Sequence, residues 1–154
     1  MNNIKALTFD TGGTILDWHS GFKEAFRVIG KRYNYLQDWG FLANELRRRS
    51  LKSMLNLGEN ETPKYNFDDA HKFILLELIN EHNLTKFTKK DIDYIAYKAP
   101  HNFKCWSDFP ETLPKLREMY IVCSFTILSY RIIIDTARKN GLSWDAVFSC
   151  EGIK

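Results

Sequence analysis

The sequence predicts an α/β fold in which a parallel sheet is interrupted by an inserted all-helical segment. Three observations carry this. An apolar run of strand length, Ile4 to Phe9, ends at Asp10 and is followed by two adjacent glycines, Gly12 and Gly13. Residues 19 to 99 show only helical spacing of their apolar residues. From Pro100 onward helix and strand patterns alternate, which implies parallel strands joined by helices.

The opening strand delivers a carboxylate to a tight loop. At the carboxyl end of a parallel strand, loop N–H groups and the strand-end side chain face the crevice where α/β sheets bind ligands, so Asp10 is the first candidate for chemistry. Gly21 to Tyr33 then carries Phe22, Ala25, Phe26 and Ile29 at helical spacing, with Ser20 placed to cap the first turn. Trp39 to Met54 repeats the pattern with Leu42, Leu46, Leu51 and Met54, while Arg47, Arg48 and Arg49 point in three successive directions around it. Asn56 to Tyr65, with Gly58 and Pro63, has the composition of a loop.

Asn66 reads as an N-cap, Asp68 and Asp69 complement the dipole of the helix that follows, and Phe67, Ala70, Ile74 and Leu78 form its stripe to near His82. Thr88 and Asp91 have the spacing of a capping box, opening a short helix through Ile92, Ile95 and Ala96 that stops before Pro100. The second half of the sheet follows. A helix over Glu111 to Met119 leads to a strand over Tyr120 to Leu128, whose run IVCSFTIL predicts cover on both faces. Arg131 to Asn140 is a helix closed by Gly141, and Ala146 to Ser149 is a strand. The expected domains are residues 1–16 plus 100–154 as the α/β core and 17–99 as the helical insertion.

With 154 residues, 44% of them apolar and 14% aromatic, the chain is one domain long and can bury a core. Its 22 basic and 19 acidic residues are spread along the whole length, so no basic stripe exists and nucleic acid is not an expected partner. Cys105, Cys123 and Cys150 are odd in number and far apart, which argues against a disulfide framework and a zinc site and fits a reducing cytoplasm. The longest mostly apolar run, Tyr120 to Tyr130, is well short of the roughly 20 residues that span a bilayer, and Asp10 comes too early for a signal peptide. No membrane partner is expected. Asn60-Glu61-Thr62 and Asn83-Leu84-Thr85 match the glycosylation pattern, which carries no weight in a cytoplasmic chain. His19, His71, His82 and His101 stand without partners at ligand or triad spacing and read as structural or surface residues. Trp18, Trp39 and Trp106 read as packing residues.

Two short motifs gain meaning from their order. Phe9-Asp10-Thr11-Gly12-Gly13-Thr14 is a strand ending in Asp with Thr four residues on, and Phe125-Thr126-Ile127-Leu128-Ser129 is a strand leading to Ser. With a helical insertion of this size between them, and Trp106 to Leu116 (WSDFPETLPKL) leading back to the core, the whole chain resembles the haloacid dehalogenase superfamily, and within it the 2-haloacid dehalogenase branch. Each motif alone is weak. The combination is specific.

The resemblance implies a Rossmann-like core with an inserted helical cap, and it assigns roles. Asp10 is the nucleophile and Thr14 holds its carboxylate. Ser129, with the backbone N–H groups of Thr11 and Tyr130, binds the carboxylate of a small substrate. Arg47, in LRRRSL, reaches to the halide and the carboxylate, for which its planar fork of donors is suited. Tyr130 stands where the family often has asparagine. Phosphatase members carry a second Asp two places after the first to protonate the leaving alcohol; Gly12 stands there, and a halide leaves without a proton. Neither a metal nor another cofactor is expected, and phosphatase chemistry is the lesser alternative. The residues alone also allow plainer roles: Asp10 as a turn residue, Ser129 as an N-cap compatible with anion binding, and Arg47 on a solvated face with Arg48 or Arg49 inward instead.

The family's third motif, a lysine in a Tyr-Lys-Pro context, and its fourth, a strand ending in acidic residues, do not occur in the 154 residues, and Lys154 falls before the expected lysine. The expectation is a fragment or truncated relative with impaired or lost catalysis, the alternative being a non-catalytic small-acid binder or interaction remnant. Lys5 to Phe9 would then be an apolar sheet edge that invites a homodimer or aggregation.

Overall fold

The computed structural model describes residues 4–55 and 64–152. Asn60-Glu61-Thr62, most of the expected loop over Asn56 to Tyr65, and Lys154 lie outside the described residues. The chain forms two compact units, residues 1–18 with 101–154 and residues 19–100.

The helical unit is built from amphipathic stripes. Helix α1 (Trp18–Arg32) buries Phe22, Ala25, Phe26 and Ile29 along one side. It starts three residues before the expected Gly21, so Ser20 lies inside the helix and does not cap it. The chain is already fixed there: the Asp17 N–H is bound to the carbonyl of the distant Lys104 and the Trp18 N–H to the Leu16 carbonyl, closing the turn before Ser20 is reached. Helix α2 (Trp39–Leu55) opens with the Phe41 N–H donating to Asp38 Oδ1 at 2.9 Å, and buries Leu42, Ala43, Leu46, Arg47 and Ser50. Leu51 and Met54 are only half-buried. Helix α3 (Phe67–Glu81) is capped as expected, the Asp69 N–H donating to Asn66 Oδ1 at 3.1 Å. Helix α4 (Lys89–Asp93) carries the complete Thr88–Asp91 capping box, then continues as a π-helical turn, Tyr94–Lys98.

Among the described residues the core unit holds three parallel strands, β1 (Ala6–Phe9), β2 (Ile121–Thr126) and β3 (Ala146–Ser149), in the order β1-β2-β3. Helix α5 (Phe109–Arg117) precedes β2, and α6 (Tyr130–Asn140) joins β2 to β3, ending at Gly141 with φ 66°. The register pairs Phe9 with Ser124 and Ser124 with Val147, so Leu7, Phe9, Val122, Ser124 and Val147 share one face. Phe9 meets Phe109 edge-on at 5.5 Å between ring centroids, which sets α5 against that face. Both crossovers run in one direction along the sheet, and right-handed crossovers then place α5 and α6 on the same side.

That arrangement corrects one expectation. The strand over Tyr120 to Leu128 is shorter, Ile121–Thr126, and is not covered on both faces by the described residues: Ile121, Phe125 and Phe148 on the opposite face are 55%, 54% and 47% exposed. The apolar run reflects one face packed under helices and one left open. All three cysteines are free, and no described helix is long and apolar enough to cross a membrane.

Candidate functional site

The end of β1 turns back on itself within a few residues. Both the Ile15 and the Leu16 N–H groups donate to the Thr11 carbonyl, at 3.1 and 2.9 Å, and Gly13 supplies the positive φ of 111° that the turn demands. This brings Thr14 beside the strand end, where its hydroxyl donates to Asp10 Oδ2 at 2.8 Å. A carboxylate that accepts a side-chain hydrogen bond on one oxygen is held in orientation, and Asp10 itself is exposed. Thr11 is 2% exposed, and its Oγ1 has no hydrogen-bond partner among the described residues.

The loop is braced from the returning segment. Asp17 N–H donates to Lys104 O at 2.8 Å, Trp106 N–H to Ile15 O at 2.9 Å, and the Trp106 indole Nε1 to Gly13 O at 3.0 Å. The Trp18 indole lies so near Gly13 that a Cβ there would meet its Nε1 at 2.9 Å. Trp106, a packing residue by its sequence pattern, is half exposed, and its indole N–H fixes the Gly13–Thr14 peptide.

The carboxyl ends of β1 and β2 are neighbours, since the two strands pair in parallel, so the loop after Thr126 opens beside the loop after Phe9. Ser129 is 1% exposed and is the N-cap of α6, its Oγ accepting the Ile132 N–H at 3.2 Å. The helix begins at Tyr130, one residue earlier than expected, and the Tyr130 N–H donates to Glu151 Oε2 at 2.9 Å. The sequence motifs assign Glu151 no role. The signal available was its place two residues past the end of a parallel strand, the same kind of position that singled out Asp10.

Arg47 belongs to the helical unit. It is 8% exposed, and its guanidinium carbon lies 4.8 Å from the centroid of the Phe67 ring, a cation–π contact. The neighbouring arginines are engaged by carboxylates, Arg48 with Glu45 at 2.7 Å and Arg49 with both Glu45 and Glu81. The Arg48 hydrogen bond, with that of Arg49, holds the Glu45 carboxyl down to about 2 against the opposing effect of burial. Of the three arginines, Arg47 is the buried one.

In the core unit, then, the structure brings together Asp10 with Thr14, and Ser129 with Tyr130, at adjacent strand ends. A fixed, exposed carboxylate next to a helix N-terminus suits nucleophilic attack on a small anionic molecule.

No protein-family model and no curated protein sequence matches the chain. Solved structures do. A defluorinating L-2-haloacid dehalogenase superposes with a TM-score of 0.86 at 24% identity, over 96% of this chain and 61% of that chain. A second L-2-haloacid dehalogenase gives 0.83 at 23% identity, over 96% and 63%. The L-2-haloacid dehalogenase from Xanthobacter autotrophicus, with chloropropionic acid covalently bound, gives 0.79 at 19% identity, over 97% and 58%. The chain thus spans about three fifths of the length of each of these dehalogenases. Over that span it shares the fold of these structures, with a parallel sheet of three described strands in its core unit.

Proposed function

We propose that this chain is a hydrolase of the 2-haloacid dehalogenase kind, with the helical unit as its cap. The observation that carries the reading is the Thr14 hydroxyl on Asp10 Oδ2 at 2.8 Å, on a loop where Gly12 leaves no second acid. The Asp10 carboxylate attacks carbon 2 of a short 2-haloalkanoic acid, the carbon–halogen bond breaks, and halide departs without a proton. Water then cleaves the aspartyl ester, returning the carboxylate and a 2-hydroxy acid. Ser129, with the N–H groups of Thr11 and Tyr130, holds the substrate carboxylate, and Arg47 supplies a fork of donors for the carboxylate and the halide. The free cysteines accord with a reducing compartment, where we place the protein.

Incubation with 2-chloropropionate tests this through two readouts, halide release and the mass of the peptide containing Asp10. An ester adduct on Asp10, absent from Asp10→Asn, is the expected result, together with release of halide. No adduct and no halide would overturn the reading. The head of α6, with Ser129 as its N-cap, supports a second reading, small-acid binding without turnover. Binding of 2-chloropropionate with neither adduct nor halide would select it.

A further inference from the structure

Glu151 is an acid that the proposed chemistry does not use, and it sits where that chemistry needs an anion. It lies in the 3-10 turn Cys150–Gly152 that follows β3. Its Oε2 accepts the N–H of Tyr130, the first residue of the eleven-residue α6, at 2.9 Å. A relay positions it. The Glu151 N–H donates to Ser149 Oγ at 3.1 Å, and that hydroxyl donates to the Leu128 carbonyl at 2.6 Å, one residue before Ser129. The turn is also pressed against the helix head, because a Cβ on Gly152 would run into the Tyr130 ring and hydroxyl. The first turn of α6 therefore has its Ile132 N–H satisfied by Ser129 and its Tyr130 N–H satisfied by a carboxylate from its own chain.

We infer that Glu151 is an internal competitor for the substrate carboxylate, and so a residue that sets the affinity of this site for anions. The inference rests on the reading of the Ser129–Tyr130 head as the carboxylate site. Two carboxylates cannot share one N–H, and each destabilises the charge of the other at close range. The internal one also has the advantage of a tethered ligand, an effective concentration that is at least on the order of millimolar. A small acid binds only by displacing Glu151. If Glu151 is instead a helix cap alone, removing it costs stability through the lost dipole interaction and gains nothing in binding.

The test is an NMR titration of the 154-residue chain and of Glu151→Ala with sodium acetate at constant ionic strength, following the Tyr130 amide and, in the unsubstituted chain, the Glu151 carboxyl carbon. Expected are acetate binding at least about tenfold tighter in the variant, and in the unsubstituted chain a joint movement of both resonances as acetate replaces Glu151. Equal or weaker acetate binding in the variant, with a lower melting temperature, would overturn the inference. Should the variant fail to fold, the unsubstituted chain decides: acetate that moves the Tyr130 amide without the Glu151 carbon, or moves neither, overturns it. Tighter acetate binding by the variant with no adduct or halide from 2-chloropropionate would sustain the inference and remove the dehalogenase reading.

Discussion

His101 and Asp135 meet inside the core unit, the imidazole Nδ1 2.8 Å from the carboxylate Oδ2, although 34 residues separate them. The imidazole is buried, and Arg131 binds the same carboxylate oxygen at 2.9 Å. Burial alone would raise the Asp135 carboxyl, but the hydrogen bonds from His101 and Arg131 outweigh it and hold the group below the ordinary carboxylate range. The contact ties the segment that returns to the core to α6, the helix whose head carries Ser129.

Asp135→Asn removes the charge from that contact and should lower stability by about 1–3 kcal/mol, read from urea unfolding. The pH dependence has a definite sign. A depressed folded value means stability that is present above the ordinary carboxylate pKa and lost as pH falls through the folded value, and the Asn variant should lose that part of the slope.

Gly13→Ala should destabilise the chain by about 1–3 kcal/mol, since an L side chain at φ 111° is strained and its Cβ would lie 2.9 Å from the Trp18 indole nitrogen. Chemical denaturation measures it. A neutral result would mean that the loop after Asp10 can relax.

At Gly30 two effects oppose each other. Alanine is favoured over glycine inside a helix by about 1 kcal/mol, but a Cβ here would overlap the Trp39 ring, which stacks on Phe26. Overpacking at about 1–3 kcal/mol should win, so Gly30→Ala is expected to lower the melting temperature.

The Glu45 carboxyl, held down to about 2 chiefly by Arg48, gives the helical unit an acid-sensitive contribution. It is complete above the ordinary glutamate range and fades as pH falls toward 2. Helicity followed from pH 6 to about pH 2 should decline less steeply for Glu45→Gln than for the unsubstituted chain.

Thr14→Val keeps the shape of the side chain and removes the donor to Asp10 Oδ2. Under the dehalogenase reading, adduct formation on Asp10 should slow by about ten- to a hundredfold, the worth of a hydrogen bond to a charged group. An unchanged rate would show that the hydroxyl does not orient the nucleophile.

Much of the fold was legible because short-range chemistry writes it. The Asn66 cap, the Thr88–Asp91 capping box and the left-handed Gly141 follow from residue types within one turn of each other, and the structure has all three. The stripe Phe22, Ala25, Phe26 and Ile29 follows from helical periodicity, and Asp10 and Thr14 are close enough in the chain for a glycine turn to join them. Ser20 lies inside the helix for a reason that is not local: the chain is fixed at Asp17 by a backbone bond to Lys104, which a side-chain pattern does not record.

What the sequence by itself determined is the set of helices and strands, the carboxylate at the end of β1 and the serine at the head of α6. Only the tertiary structure decided that Phe125 lies on an open sheet face, that Arg47 is the buried arginine, that His101 has a carboxylate, and that the Tyr130 N–H is held by Glu151, 21 residues away. The physical reason is range. Capping, periodicity and turn preferences act over a few residues, whereas a partner for a buried imidazole or a helix N–H depends on which elements pack together and which face they cover.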